Sequence, residues 1–306
     1  MTEALRVGTR GSPLALAQTE EVVQRLRATH ANLRTVTVAI RTAGDEGYRE
    51  DLGTALDGKR AFTRRIEDAL LEGRIDFAVH SLKDLPAETA AGLVIAAIPP
   101  REDPRDVLVG RDAMTPEDLG PGVRVGTSSL RRRAQLLSRW PGLEVVELHG
   151  NVNTRLRRLD SNDFDAVVVA AAGMRRLRIE NRFTHPLPPD VMTPAPGQGA
   201  LALEAREGDR SILDLLSAID DPATRRATEA ERALSARVGG GCNVPFGALA
   251  TLDRGMTLRA VLADPDGRRL VRSEDHGDES RWKELVDSVW EKLVQQGGAD
   301  LVAEAA

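Results

Sequence analysis

The chain is poor in cysteine and in aromatic side chains, has no long hydrophobic run, and carries a negative charge balance. Its one cysteine, Cys242, excludes an intrachain disulfide and a zinc site built from several thiolates. Aromatic residues make up 3% of the 306 positions, so aliphatic and alanine side chains must fill the cores. A stacking surface for single-stranded nucleic acid needs several rings on one face and is not expected. The formal net charge of −5 is also opposite to the usual balance of a nucleic-acid binder. The longest run of small apolar residues, Ala166–Gly173, falls far short of the roughly 20 residues that span a bilayer. Met1–Arg10 holds no apolar stretch of signal-peptide kind. The expectation is a soluble, cytoplasmic protein without a nucleic-acid or membrane partner.

What is present is an ordinary globular mixture, 41% hydrophobic and 29% charged, and the length suits two or three domains. Short apolar runs alternate with amphipathic stretches. Leu5–Thr9, Thr35–Arg41, Phe77–His80 and Leu93–Ile98 read as strands; Pro13–His30 and Phe62–Glu72 read as helices, the first with proline in its opening turn. This order predicts an α/β domain with largely parallel strands. Pro99, Pro100 and Pro104 suggest a hinge. A second cycle follows: strands at Val123–Val125, Glu144–Leu148 and Asp165–Ala170, helices at Leu130–Arg139 and Val152–Leu159. Ala200–Ala205 is expected to be a strand that rejoins the first domain. From Pro222 the pattern becomes α+β: a helix over Ala223–Val238, a hairpin of Phe246–Leu252 with Met256–Ala263, and a helix over Arg281–Gln295. The expected domains are 1–99 with 200–217, 105–193, and 222–306.

Four segments carry candidate chemistry. In Gly126-Thr127-Ser128-Ser129-Leu130-Arg131-Arg132 a strand ends, hydroxyls cap a helix, and arginines fill its first turn. Cations there oppose the helix dipole, so a bound anion explains them better than folding does; a plain capping motif is the alternative. Arginines cluster again at Arg155, Arg157 and Arg158 and at Arg175, Arg176 and Arg178; each cluster reads either as an anion site or as a solvated helix face. His80-Ser81-Leu82-Lys83-Asp84-Leu85-Pro86 follows a strand, where α/β sheets bind ligands; a polar turn closed by Pro86 is the bland alternative. Thr9-Arg10-Gly11-Ser12-Pro13 is a further strand-to-helix turn with a cation and a hydroxyl. Finally, Gly239-Gly240-Gly241-Cys242-Asn243-Val244-Pro245 surrounds the lone thiol with glycines, which let a bulky group approach; an accessible thiolate is a nucleophile, whereas most lone cysteines are small buried hydrophobes.

Taken in chain order, these segments resemble the porphobilinogen deaminase family, together with Arg101-Glu102-Asp103-Pro104-Arg105-Asp106, Gly150-Asn151-Val152, Thr154-Arg155-Leu156 and Pro196-Gly197-Gln198-Gly199-Ala200. The resemblance implies two α/β domains like the lobes of type II periplasmic binding proteins, with an active cleft between them, plus a smaller α+β C-terminal domain. It implies a hydroxymethylbilane synthase activity. Four porphobilinogen molecules condense into a linear tetrapyrrole on a dipyrromethane cofactor joined to Cys242 by a thioether, and ammonia is released. A monomer is the family expectation.

By that resemblance Ser81, Lys83, Thr127, Ser129, Arg131, Arg132 and Arg155 hold the cofactor and Arg10, Arg176 and His149 hold substrate. The chemistry suits them, because each pyrrole carries two carboxylate arms and guanidinium forks bind carboxylates bidentately. Asp84 matches the catalytic aspartate. Loss of ammonia leaves a cationic azafulvene, which a carboxylate stabilises; a proton-transfer role is the other option. Asp45 matches a flexible acidic loop, and Phe62 either packs on a pyrrole or belongs to the core. Two departures remove permanent positive charge: His149 and Ala43 stand where the family usually has arginine. A protonated His149 would restore that charge in a pH-sensitive way. Two further functions compete: a non-catalytic two-lobed anion binder, and an enzyme that uses the Cys242 thiol directly on substrate.

Overall fold

A computed structural model describes residues 4–41, 60–239 and 243–305. The chain divides into two compact units, residues 1–102 with 200–226 and residues 103–199 with 227–306.

The first unit is built from β1 (Leu5–Arg10), α1 (Pro13–Thr29), β2 (Thr35–Ile40), α2 (Arg60–Leu71), β3 (Phe77–Ser81) and β4 (Leu93–Ala97). The second begins with β5 (Asp106–Gly110), β6 (Arg124–Gly126), α3 (Leu130–Arg139), β7 (Glu144–Val146), α4 (Val152–Asp160), β8 (Ala166–Ala170), α5 (Ala171–Arg176) and β9 (Thr184–Pro186). The chain then returns to the first unit as β10 (Leu201–Arg206), followed by α6 (Arg210–Ser217) and the start of α7 (Pro222–Val238). The second unit is completed by β11 (Phe246–Leu252), β12 (Met256–Ala263), β13 (Leu270–Gly277), α8 (Trp282–Gln295) and α9 (Gly298–Ala305).

In the first unit the strand order is β2-β1-β3-β10-β4. Strands β1, β2 and β3 run parallel, and β10 lies antiparallel to both β3 and β4. Alternation along β3 covers both faces. Phe77 and Val79 pack with Val22, Val23 and Leu26 of α1, whereas Ala78 packs with Ile66, Ala69 and Leu70 of α2. The second unit repeats the plan as β7-β6-β8-β5-β9, with β5 antiparallel to its neighbours. Val107 and Val109 face the α4 side, and Leu108 faces the α3 side. Two α/β sheets of like plan and a smaller C-terminal α+β portion are the architecture expected. As expected, the strands are largely parallel: among the described residues each sheet has a single antiparallel strand, β10 in the first and β5 in the second. The late strand β10 enters the first sheet between β3 and β4, antiparallel to both.

The C-terminal sheet is a three-stranded antiparallel sheet, β11-β12-β13, with α7, α8 and α9 on its core. It corrects the expected hairpin by one strand. Leu270–Gly277 has only two apolar residues, both at its start, and its polar remainder gives no period-two signal. Its register comes from β12, where Arg259 pairs with Glu274 and Leu258 with Asp275. Strand β5, hidden behind the prolines of the expected hinge, was likewise not foreseen.

Candidate active site

In the first unit, β3 runs out at Ser81 into a 3₁₀ turn, Leu82–Asp84. Leu82 and Leu85 are buried in the core, and the Leu82 N–H donates to the Ala200 carbonyl at 3.0 Å. The apolar anchors point the intervening Lys83 and Asp84 outward, half-buried. Ser12 caps α1, accepting from the Ala15 N–H at 3.2 Å, with Pro13 in the first turn. The carboxyl ends of the parallel strands β1 and β3 and the start of α1 thereby border one cavity, whose walls include Arg10, Ser12, Gln18, Thr63, His80 and Asp84. This is where an open α/β sheet binds ligands.

Polar groups around this cavity differ in how they are satisfied. Ser81 Oγ lies 2.8 Å from Gln18 Nε2 and 3.1 Å from its Oε1. His80 Nε2 lies 3.2 Å from Glu204 Oε2, both side chains almost fully buried, without hydrogen-bond alignment. Asp84 has no hydrogen-bond or ion-pair partner among the described residues. A half-buried carboxyl left without a cation is a group available to a ligand.

In the second unit, Gly126 ends β6 where a Cβ would sit 2.8 Å from Leu148 Cδ2 and 3.0 Å from Phe164 Cδ1, so only glycine lets the strand pass so close. Thr127 is buried, and its Oγ1 accepts from the Ser129 N–H at 3.2 Å. Ser129 caps α3, receiving the Arg132 N–H at 3.4 Å. The first-turn arginines find their counter-charge inside the protein. Arg131 Nη1 donates to Asp106 Oδ2 at 2.8 Å and to the Thr193 carbonyl at 2.7 Å. Arg132 donates to Asp106 Oδ1 through Nε at 3.1 Å and Nη2 at 2.7 Å, and to the Val168 carbonyl at 3.0 Å. Gln198 Nε2 adds a fourth donor to Asp106 at 2.9 Å. Burial by itself would raise the Asp106 carboxyl, but the two guanidinium charges outweigh it and hold the group well below the usual carboxylate range. The anion inferred to offset the cations of this helix turn is thus, at least for these bonds, the chain's own aspartate.

Arg155 stands differently. Asn151 caps α4 by accepting the Thr154 N–H at 2.9 Å, after Gly150 at φ 106° turns the chain. Arg155 Nε donates to the Gly150 carbonyl at 2.8 Å and Nη2 to Ser128 Oγ at 3.2 Å. No carboxylate meets it among the described residues. Burial, with the nearby Arg132 charge, lowers its pKa to about 10, which still leaves it protonated at neutral pH. Arg176 Nη2 donates to the Gly199 carbonyl at 3.0 Å. His149 is exposed, with Nε2 2.8 Å from Glu147 Oε1, so a protonated ring there already has a carboxylate beside it.

Within the first unit Arg10, Ser81 and Asp84 therefore border one cavity, with Lys83 beside Asp84 in the same turn. Within the second unit Thr127, Ser129, Arg131, Arg132 and Arg155 gather around the starts of α3 and α4, with His149 turned to Glu147. Ala43, Asp45 and Cys242 lie outside the described residues, as does the Phe62 side chain. Sequence reasoning missed Asp106 and Gln198 as functional partners. The available signal was a carboxylate opening the apolar run Val107-Leu108-Val109, a buried charge that demands a partner.

Comparison with known proteins supplies the chemistry. Residues 5–214 match the family described as porphobilinogen deaminase, dipyromethane cofactor binding domain, and residues 226–295 match its C-terminal domain. The chain is 46% identical over 302 residues to a porphobilinogen deaminase of Thermus thermophilus, covering 97% of this chain and 98% of that protein. It is 46% identical to one from Desulforudis audaxviator, covering 99% and 98%, and 45% identical to one from Roseiflexus castenholzii, covering 99% and 100%. Among solved structures, a periplasmic domain of Bordetella pertussis BvgS is 16% identical with a TM-score of 0.42, covering 71% of this chain and 86% of that one. No described helix is long and apolar enough to cross a membrane.

Proposed function

The chain belongs to the porphobilinogen deaminase family, and from that premise we propose which of its residues perform the reaction. The protein is a hydroxymethylbilane synthase, a transferase that joins four porphobilinogen molecules into a linear tetrapyrrole with release of ammonia. It carries the family's dipyrromethane-binding domain. The residues present fit such a group. Among the described residues Arg155 offers a cation without a carboxylate, Asp84 offers a carboxyl without a cation, and Ser128 and Ser129 offer hydroxyls beside a helix start. When bound, the dipyrromethane supplies the primer to which pyrrole units are added.

The attachment point is Cys242, in its glycine-rich loop. Arg155, Arg131 and Arg132 take the carboxylate arms of the chain, with Thr127, Ser129, Ser81 and Lys83 adding donors. Arg10, Arg176 and His149 receive the arms of the incoming unit. Asp84 faces the pyrrole nitrogens and stabilises the positive charge that develops as the C–N bond breaks and ammonia leaves with the electron pair. Asp106 acts at one remove: by fixing two guanidiniums it presets the donors instead of letting substrate order them. The three-domain division, a monomeric state and a cytoplasmic location belong to this same reading.

The observation that carries the assignment of the reacting group is Asp84, without a partner among the described residues, on a cavity shared with Arg10. The test is incubation with porphobilinogen, then acid oxidation and porphyrin absorbance, alongside intact mass. Wild type yields porphyrin and carries the mass of a dipyrromethane. Cys242→Ser lacks both. An active protein with an unmodified, alkylatable thiol would overturn the reading.

A further inference from the structure

Thr63 stands in the first turns of α2 with its side chain 2% exposed, and it forms part of the wall of the Asp84 cavity. Its Oγ1 is buried and has no hydrogen-bond partner among the described residues. A threonine deeper in a helix can donate to the carbonyl four residues back; Thr63, in the first turn of α2, has no such carbonyl within its helix. Thr19 of α1, equally buried, has one, with its Oγ1 2.9 Å from the Ala15 carbonyl. A buried hydroxyl without a partner costs stability, and a fold has no reason to keep one where valine would fit the same space. The orphan at Thr63 is explained if the partner arrives with the ligand.

We infer that the Thr63 hydroxyl is a substrate-positioning donor that hydrogen-bonds a carboxylate arm of the pyrrole bound beside Asp84. The inference rests on the reading of this cavity as the pyrrole site. The direction of the bond follows from the groups present. A pyrrole N–H goes to Asp84, a stronger acceptor than a hydroxyl. The aminomethyl nitrogen leaves as ammonia, and the polar groups the ring keeps are carboxylates, which only accept. The cavity wall already holds Arg10 for such an arm, and an arginine fork leaves lone pairs on the carboxylate that a hydroxyl can use. Thr63 would then fix the rotation of an arm whose charge Arg10 neutralises. That separates a ring with a correctly placed acidic arm from one without it.

The test compares wild type, Thr63→Val and Thr63→Ser as cofactor-loaded enzymes with porphobilinogen as substrate. Intact mass reads cofactor loading, and thermal melts read stability. Valine keeps the shape and removes the hydroxyl. The expected result is a KM raised about tenfold with kcat little changed, a melting temperature equal to or above wild type, and a serine variant within about twofold of wild type. Two results overturn the inference: a valine variant with wild-type KM, or one whose KM rises together with a lowered melting temperature, which marks a packing role. A wild-type protein that forms no tetrapyrrole defeats the reading of the cavity itself. An active wild type with an indifferent valine variant defeats only the role given to Thr63.

Discussion

Asp84 and Asp106 are both aspartates at a strand end of an α/β sheet, and the two regions treat them in opposite ways. Asp106 is fully buried and accepts from Arg131, Arg132 and Gln198. Asp84 is half-buried, borders a cavity and meets no cation among the described residues. The first arrangement is satisfied before any ligand comes, so its charges serve geometry. The second is incomplete and is completed by what binds. A charged residue in a candidate site therefore has to be sorted by its partners before it is given a chemical role. The arginines sort the same way: Arg131 and Arg132 are tied to Asp106, whereas Arg155 rests on a carbonyl and a hydroxyl.

Substitutions at these positions should separate structure from chemistry. Asp106→Asn leaves two guanidiniums buried against a neutral amide and should destabilise the protein by about 3–5 kcal/mol, read by chemical denaturation. A loss of activity without that loss of stability would dissolve the contrast. Asp84→Asn should do the reverse. Stability stays near wild type while kcat falls on the order of 10²–10³-fold, the scale of one lost electrostatic stabiliser. Arg155→Met should weaken the hold on pyrrole carboxylates by about 1.5–3 kcal/mol, seen as poorer retention of intermediates or a higher KM, with little change in melting temperature.

The smallest effect is expected in acid and far from either aspartate. Asp275 accepts from Lys292 at 2.7 Å and Ser288 at 2.5 Å, and these bonds, against a modest burial penalty, lower its pKa to about 2. A carboxyl depressed in the folded state stabilises above its unfolded pKa near 4, and that contribution is lost as pH falls through the folded value near 2. Asp275→Asn should flatten stability between about pH 4 and pH 2, measured by melts across that window. It should leave activity at neutral pH unchanged. An unaltered acid limb would show that Asp275 is paired as tightly in the unfolded chain.

Much of the fold was legible because hydrophobic period reports local geometry directly. Helix α3 and strands β11 and β12 fall where the apolar spacing puts them. Strands β5 and β13 were not legible. One sits behind prolines, and the other is polar and takes its register from a neighbour. Of the candidate site, the residue types were readable and their states were not. His149 reads as a replacement cation, yet it lies against Glu147. Thr63 gave no signal at all, since a threonine in a helix is ordinary until its hydroxyl is found without a partner.

By itself the sequence determined the alternation of strands and helices, the capped helix starts at Ser12, Ser129 and Asn151, and the supply of arginines, hydroxyls and one thiol. These follow from short-range rules that act within a turn or two. Only the tertiary structure decided which charges meet. Arg131 and Arg132 reach Asp106 across 25 and 26 positions because β5 lies beside β8 in the sheet next to α3. Asp84 and Thr63 border one cavity because β3 and α2 belong to the same layer pair. Pairing of buried charges is fixed by distance and desolvation in three dimensions, and neither quantity is written in residue spacing.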